Sequence, residues 1–324
     1  MKDRNLSKDA LLGFAVGDAF GVPVEFLTRE EVRAVHLTEM SGKEDHLNFN
    51  SWWGSRIPAG AWSDDTSMTI AAMDTIRRNH GEIDYEAIMQ SFLAWWNEGK
   101  YSSLGIPFGL GCTVEEAFQR YEKGRPAPEC GGTDVYDNGN GALMRILPFS
   151  IYCIMKNLPE RETAELIGKA SSLTHGHDIS KMSCFIYTEF LRELYQSGKL
   201  QSAYGHIMKI NYHEYFSEEA VNAHEKILNP AFPESADEDI SEKNGYVVAT
   251  LETALHSLLT TNNYEEALLK AVNMGYDTDT VGGVTGGLAG ALYGYESIPK
   301  RWLDKLLKRT YLERLAEAYQ DLFI

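Results

Sequence analysis

The residues best equipped for chemistry sit in two short acidic turns. Trp62-Ser63-Asp64-Asp65-Thr66 leads into the apolar pattern Met68, Ile70, Ala71, Ala72 and Ile76, and Tyr276-Asp277-Thr278-Asp279-Thr280 stands at the entry to a second helical pattern. Serine and aspartate at a helix start are good caps, because their oxygens accept bonds from the free N–H groups of the first turn. Capping does not need two adjacent carboxylates, which repel each other unless a cation lies between them. The two turns together offer four carboxylates and several hydroxyls, all oxygen donors. Hard divalent cations such as Mg²⁺ take that donor set, and four carboxylates balance two such ions. Paired metals about 4 Å apart orient a substrate and activate water. Both readings, caps and metal ligands, are open on the residues alone, and the second requires the two turns to meet in space.

Three further stretches could contribute. Gly13-Phe14-Ala15-Val16-Gly17-Asp18-Ala19-Phe20-Gly21 is followed by Pro23 and Glu25. Its small residues predict close helix packing and Gly21 predicts a helix end. With no strand before it, the stretch is not a dinucleotide-binding glycine loop. Glu25, just beyond, is either a positioned carboxylate or a surface residue. Asn138-Gly139-Asn140-Gly141-Ala142-Leu143-Met144-Arg145 permits positive φ and exposes N–H groups, which suits a phosphate or a plain turn. The histidines of Thr174-His175-Gly176-His177 lie two apart and cannot share a helix face. Without a neighbouring third nitrogen or sulfur ligand they read as hydrogen-bonding groups, not as a zinc site. Cys-His and Ser-His-Asp catalysis have no anchor in the chain.

These residues need elements to hold them, and helical spacing dominates. Tyr85, Ile88, Met89, Phe92, Leu93 and Trp96 recur at steps of three and four, as do Val247, Leu251, Ala254, Leu255, Leu258 and Leu259. Asn263 with Glu266 predicts a capping box, and Pro299 predicts a first helical turn, with the chain helical onward through Trp302, Leu306, Leu315 and Tyr319. After Asp279, Gly282, Gly286, Gly290 and Gly294 form a stripe within a six-glycine helical segment. Each helical glycine costs about 1 kcal/mol relative to alanine, about 6 in all, so a neighbouring backbone must approach closely enough to offset it. This predicts a buried central helix holding the acidic turn at its N-terminal end. No set of alternating β-branched strands is present. The expected fold is all-α, an orthogonal bundle of about a dozen or more helices in a single domain over residues 1–324. Two stretches resist the pattern: His36 to Ala61, long enough without a period to suggest a functional or mobile loop, and Asn229 to Gly245, with two prolines and the acidic run Glu234 to Glu242, which reads as a solvated loop.

Composition narrows the function classes. The chain has 324 residues, with Lys+Arg 30 against Asp+Glu 47 and a net charge of −17. That balance argues against non-specific binding to nucleic acid or to anionic membrane, both polyanions. Hydrophobic residues make up 44%, an ordinary globular share that supports a large core without a disulfide or structural metal. The scattered cysteines Cys112, Cys130, Cys153 and Cys184 lack CxxC spacing and point to a reducing compartment. The polar N-terminus is unlike a signal peptide, and no apolar run approaches the ~20 residues of a membrane span. The expected location is cytoplasmic.

In order along the chain, Gly17-Asp18-Ala19-Phe20-Gly21 with Glu25, Trp62-Ser63-Asp64-Asp65-Thr66, Gly139-Asn140-Gly141-Ala142-Leu143-Met144-Arg145, Thr174-His175 and Gly275-Tyr276-Asp277-Thr278-Asp279-Thr280-Val281-Gly282-Gly283 resemble the ADP-ribosylglycohydrolase family. The resemblance implies a compact all-α domain with two Mg²⁺ or Mn²⁺ ions, held by Ser63, Asp64 and Asp65 on one side and Asp277, Asp279 and Thr280 on the other. It implies an ADP-ribosylated protein or small molecule as substrate, cleaved at the distal ribose. Glu25, Asp65 and Asp279 are then the catalytic candidates, and Asn140, Gly141, His175 and Tyr276 the substrate-binding ones. Ser63 replaces the threonine of many members. Phe108-Gly109-Leu110-Gly111-Cys112-Thr113 departs from the family pattern at Gly109 and Cys112, where Asp and Asn are frequent, a difference that bears on substrate choice. Two other readings remain: a catalytically silent ADP-ribose-binding or structural protein on the same scaffold, as in the lens crystallins of this family, and a metal hydrolase acting on another nucleotide or phosphoester.

Overall fold

The computed structural model describes residues 4–45, 53, 56–235 and 245–324. Its elements are α1 (Leu6–Gly21), α2 (Arg29–Ala34), α3 (Asp64–Arg78), α4 (Tyr85–Glu98), α5 (Cys112–Glu122), α6 (Leu147–Met155), α7 (Glu160–Ser171), α8 (Asp178–Ser197), α9 (Leu200–Ile207), α10 (Glu218–Ala223), α11 (Phe232–Ser235), α12 (Val247–Leu259), α13 (Tyr264–Val272), α14 (Thr278–Tyr293), α15 (Lys300–Leu303) and α16 (Arg309–Gln320), with short 3₁₀ turns between them. The described residues contain no strand, only isolated bridges at Gly132–His175 and Gly139–Tyr246. The fold is all-α.

The centre is α14, buried from Thr278 to Ala291. Against it runs α1, antiparallel and backbone to backbone. A Cβ placed on Gly17 would overlap the carbonyl of Gly282, one on Gly13 that of Gly286, and one on Gly21 that of Thr278. Here lies the close approach that the glycine stripe demands. Within α14 the helical glycines number five, because Gly294 stands beyond the helix end with φ 87°. The seam is pinned by Tyr264 of α13, whose hydroxyl donates to the Gly13 carbonyl at 2.7 Å. Helices α3, α8, α12 and α13 pack around α14, and α16 covers the outer side of α1.

Two expectations about the helices need refinement. Asn263 does cap α13 through its side chain (Glu266 N–H, 2.9 Å), but the Glu266 carboxylate accepts from the N–H of Asn262, one residue before the cap. Beyond Pro299 the chain is not one helix: α15 ends at Leu303, and α16 begins after Lys308, whose φ is 49°. The break lets Leu307 N–H reach the Gly60 carbonyl (3.0 Å) and the Lys308 ammonium reach the Ser102 carbonyl (2.7 Å), tying the C-terminal region to the loops around α3. The core of the irregular stretch between His36 and Ala61, and most of the acidic run Glu234 to Glu242, lie outside the described residues.

Candidate active site

The antiparallel seam decides where the acidic turns end up. Because α1 ends beside the start of α14, the loop carrying Glu25 emerges next to Asp277, Thr278 and Asp279. Reciprocal backbone bonds fix it there: Phe26 N–H to Tyr276 O and Tyr276 N–H to Leu27 O, each 2.6 Å. Both Phe26 and Tyr276 hold positive φ (66° and 64°) in this clasp, a conformation that costs non-glycine residues energy and persists where surrounding structure enforces it. The Thr278 hydroxyl donates to the Gly21 carbonyl at 2.8 Å.

The other acidic turn is also anchored to α1. Asp18, fully buried, accepts from the N–H and hydroxyl of Ser63 (both 3.0 Å to Oδ1) and from the N–H and hydroxyl of Thr66 (3.0 and 2.6 Å to Oδ2). One carboxylate thus caps the first turn of α3 from outside the helix, while Ser63 Oγ accepts from Asp65 N–H at 3.4 Å. Asp64 and Asp65 need not cap and are left free to face the cleft. Burial raises the Asp18 pKa to about 6, against the lowering effect of those four donors. Sequence reasoning passed over Asp18 as a functional group; the available signal was a single carboxylate within an otherwise small and apolar helical run.

The two turns meet. Carboxylate oxygens of Asp64, Asp65 and Asp279 lie within 4.8 Å of one another, as do those of Glu25, Asp277 and Asp279. They floor a cleft that Asn140, Gly141, His175 and Thr280 also line, without a lysine or arginine in its wall among the described residues. Ser63 and Tyr276 stand outside the lining, Ser63 under Asp64 as the helix cap and Tyr276 in the clasp to Phe26. Burial drives the pKa of Asp64, Asp65, Glu25 and Asp279 upward, reinforced by their mutual repulsion. Asp65 Oδ2 and Glu25 Oε2 are buried with no hydrogen-bond partner. Unpaired buried carboxylate oxygens are costly, and this group fits divalent cations on donor chemistry and on charge. The neighbouring α5 starts with a bare N-terminus: its cap is Gly111, which supplies no side-chain bond. Gly109, with φ 94°, leaves room for the Asp64 carboxylate, which any Cβ there would strike.

Asn140 is held between Thr250 (3.0 Å) and Asp277 (2.7 Å), donating from its amide nitrogen to both. His175 belongs to a buried chain. Arg145 donates to the Thr174 hydroxyl oxygen at 2.6 Å, and that oxygen lies 2.9 Å from His175 Nδ1. The Thr174 hydroxyl thus joins the guanidinium to the imidazole. Burial and the Arg145 charge push the His175 pKa down to about 3, so the ring is neutral. Its Cε1–Nε2 edge abuts Gly139 and Gly141, which explains why that turn carries glycine at both positions.

An all-helical bundle that crowds buried carboxylates at the joined ends of its two central helices defines a class of protein with an oxygen-donor site that could hold metal ions. The chain belongs to the ADP-ribosylglycohydrolase family, whose profile matches residues 2–324. It is 33% identical over 312 residues to the ADP-ribosylarginine hydrolase Tri1 of Serratia proteamaculans, an alignment covering 96% of this chain and 78% of that one. It is 28% identical over 300 residues to the ADP-ribosyl-[dinitrogen reductase] glycohydrolase of Rhodospirillum rubrum, covering 92% and 88%. A solved structure described as an ADP-ribosylglycohydrolase-related protein complex superposes over 100% of both chains with a TM-score of 0.75 and 29% identity. No helix among the described residues is long and apolar enough to cross a membrane.

Proposed function

We propose that this protein, acting as a single unit over residues 1–324, is a hydrolase that cleaves the glycosidic bond at the distal ribose of an ADP-ribosylated substrate and releases ADP-ribose. The observation that carries the reading is the convergence of Glu25, Asp64, Asp65, Asp277 and Asp279, two of them with orphaned buried oxygens. Asp64, Asp65, Asp277, Asp279, Thr280 and the Ser63 hydroxyl are the residues to hold two divalent cations, Mg²⁺ or Mn²⁺. Such ions supply Lewis-acid polarisation of sugar hydroxyls and of water, and a local positive field for a pyrophosphate in a protein of charge −17.

The chain's own groups do the rest. The neutral His175 turns its Cε1–Nε2 edge to the cleft as a fixed polar group for the ligand, and Asn140 is oriented by Thr250 and Asp277. The bare first turn of α5 presents N–H groups to anionic oxygens. Cleavage at the anomeric carbon passes through an oxocarbenium-like transition state. Asp65 and Asp279 stabilise that positive charge at the floor; Glu25, whose Oε2 has no hydrogen-bond partner, gives its proton to the departing atom, and water then adds its oxygen to the anomeric carbon and returns a proton to Glu25. An arginine-type linkage is the substrate class we favour, supported by the name borne by the Serratia relative and by the acidic surface.

The test is a panel of ADP-ribosylated arginine, serine and acetyl substrates, assayed for free ADP-ribose with and without EDTA. Release from the arginine linkage, abolished by EDTA and by Asp65→Ala or Asp279→Ala, is the expected result. Cation-dependent thermal stabilisation without release from any substrate supports a silent binding protein instead. Release of AMP, not ADP-ribose, supports a phosphoester hydrolase.

A further inference from the structure

Of the four cysteines, one is within reach of solvent. Cys130, Cys153 and Cys184 are fully buried, whereas Cys112 is exposed. The Cys130 thiol donates to the carbonyls of Pro126 (3.3 Å) and Arg125 (3.5 Å), and burial pushes the thiols of Cys153 and Cys184 up to about 12. Those three are core groups. Cys112 opens α5 and lines the cleft above the acidic floor. A Cβ added to Gly111, the residue before it, would meet nothing within 4 Å, so the chain leaves open space beside Cys112. The cleft is small, about 240 Å³. Through Glu25, Phe26 and Gly109 it adjoins an apolar chamber of about 820 Å³, walled by Trp53, Trp96 and Phe108, which Cys112 does not line. An observation independent of the thiol marks the cleft as a ligand site. Asp65 and Glu25, only 1% and 7% exposed, line it with Oδ2 and Oε2 buried and without a hydrogen-bond partner. A group carried on Cys112 therefore shares a small space with whatever those oxygens serve.

We propose that Cys112 is a reversible modification site, which takes up a low-molecular-weight thiol such as glutathione as a mixed disulfide and so shuts the cleft. The thiolate of Cys112 attacks one sulfur of the small disulfide. A new sulfur–sulfur bond forms to Cys112 as the original one breaks. The bonding pair leaves on the second thiol, which takes up the proton that Cys112 gave away. Cys112 is oxidised and the departing thiol is reduced, and attack by a further thiol on the adduct reverses the exchange. Two features of the place make the adduct a block. Its bulk enters a cleft of limited volume. It also sits at the first turn of α5, whose cap Gly111 supplies no side-chain bond. The carboxylates of a glutathionyl group are acceptors for the N–H groups of that turn and compete there with the anionic oxygens of a ligand. The consequence for activity rests on the glycohydrolase reading above; the exchange itself does not.

The experiment treats the protein with glutathione disulfide, locates the adduct by peptide mass mapping, and measures ADP-ribose affinity and ADP-ribose release before and after. Cys112→Ser goes through the same steps, and each protein is compared with its own untreated sample. The wild type is expected to gain a glutathionyl group at Cys112 and at no buried cysteine. Its affinity for ADP-ribose and its release rate should both fall at least about tenfold, the scale of a hydrogen bond to a charged group, and dithiothreitol should restore both. The serine variant should gain no adduct and keep its untreated values. An adduct at Cys112 that leaves affinity unchanged overturns the proposal, as does a folded wild type that gains no adduct there. A loss that Cys112→Ser shares also overturns it, because a buried thiol would then be responsible. If the untreated wild type binds ADP-ribose but releases it from no substrate, the glycohydrolase reading fails and the inference is decided by affinity alone. If it binds no ADP-ribose at all, both fail.

Discussion

The seam between α1 and α14 and the acidic floor at its end are neighbours with opposite economies. Along the seam, side chains are absent where the helices touch, and backbone meets backbone through Gly13, Gly17, Gly282 and Gly286. At the floor, side chains crowd, and among the described residues their charges have no cationic partner in the wall. The seam is dense and favourable; the floor is repulsive and buried. The first makes the second possible, because carboxylates that repel stay together only when the backbones carrying them cannot move apart. Asp18 shows the coupling at one residue: it sits on the seam helix and fastens Asp64 and Asp65 in place through Ser63 and Thr66.

The largest effect is expected from breaking the seam. A methyl group at Gly17 or Gly282 would occupy the opposing carbonyl position, where neither backbone has a flexible end to withdraw. Ordinary overpacking costs about 1–3 kcal/mol; overlap of two central helices should cost more. Gly17→Ala and Gly282→Ala are therefore expected to abolish cooperative unfolding in denaturant melts. A variant that melts like wild type would show that the seam carries no structural weight.

Removing charge from the floor should do the reverse, sparing the fold and ending the activity. Asp65→Asn and Asp279→Asn are expected to cut ADP-ribose release by about 10³-fold or more, the scale of losing a main electrostatic stabiliser. Their effect on stability follows from the sign of the shifts. Both carboxyls have folded pKa values raised, chiefly by burial. A raised carboxyl contributes stability at pH below its unfolded pKa, and that contribution is lost as pH rises through the folded value. The metal-free wild type should thus lose melting temperature from about pH 4 upward, each Asn variant should lose less, and Mn²⁺ or Mg²⁺ should restore the wild type only. A melting temperature indifferent to both pH and cations would contradict the cluster's role.

A smaller effect of opposite pH sign attaches to His175. Its folded pKa is lowered to about 3 by burial and by Arg145, and His224, also buried, is lowered to about 4. A depressed histidine gives stability that is present above its unfolded pKa of about 6.5 and lost as pH falls toward the folded value. His175→Gln should flatten the acid limb of a pH–stability curve, leaving the part due to His224. It should also lower kcat/KM about tenfold, one hydrogen bond's worth. Thr174→Val, which removes the hydroxyl bonded to His175 Nδ1, should lower it in the same direction. If that variant keeps full kcat/KM, the Arg145–Thr174–His175 chain does not position the imidazole.

The same contrast explains what the sequence made legible. The all-α fold was readable from three- and four-residue spacing, and the central helix from the implausible cost of its glycines. The acidic turns were readable because paired carboxylates at helix starts exceed what capping needs. Asn140 and Gly141 reach the cleft on a turn picked out for its Asn and Gly residues, yet none of 138–141 takes a positive φ and the Asn140 N–H bonds to the Gly245 carbonyl at 2.9 Å; the glycines there serve the close approach of His175 instead. Asp18 was not readable as a functional group, since one carboxylate in an apolar run has no spacing to betray it. The chamber behind Glu25 was hidden for a different reason: Trp96 falls in the apolar stripe of α4, and the 104–110 segment has no period, so tertiary placement alone separates a cavity wall from a core. The break at Lys308 was likewise invisible, because it serves a bond to Gly60 far away in the chain.

The smallest expected effect is the control that gives the seam experiment its meaning. Gly205 lies inside α9 with ordinary helical φ, and a Cβ added there meets nothing within 4 Å. Here the glycine brings only its entropic cost, so Gly205→Ala should stabilise the protein by about 0.5–1 kcal/mol. The shift should appear in the denaturant midpoint with an unchanged m-value, and ADP-ribose release should keep its wild-type rate, since α9 touches neither the cleft nor the chamber. The same chemical change would then raise stability in α9 and destroy the fold in α1. Only the proximity of a second backbone differs between the two positions, so opposite outcomes would assign the seam's role to close approach and not to helix propensity. Destabilisation at Gly205 as well would mean that α9 is packed more tightly than its open flank indicates, and the contrast with Gly17 would lose its force.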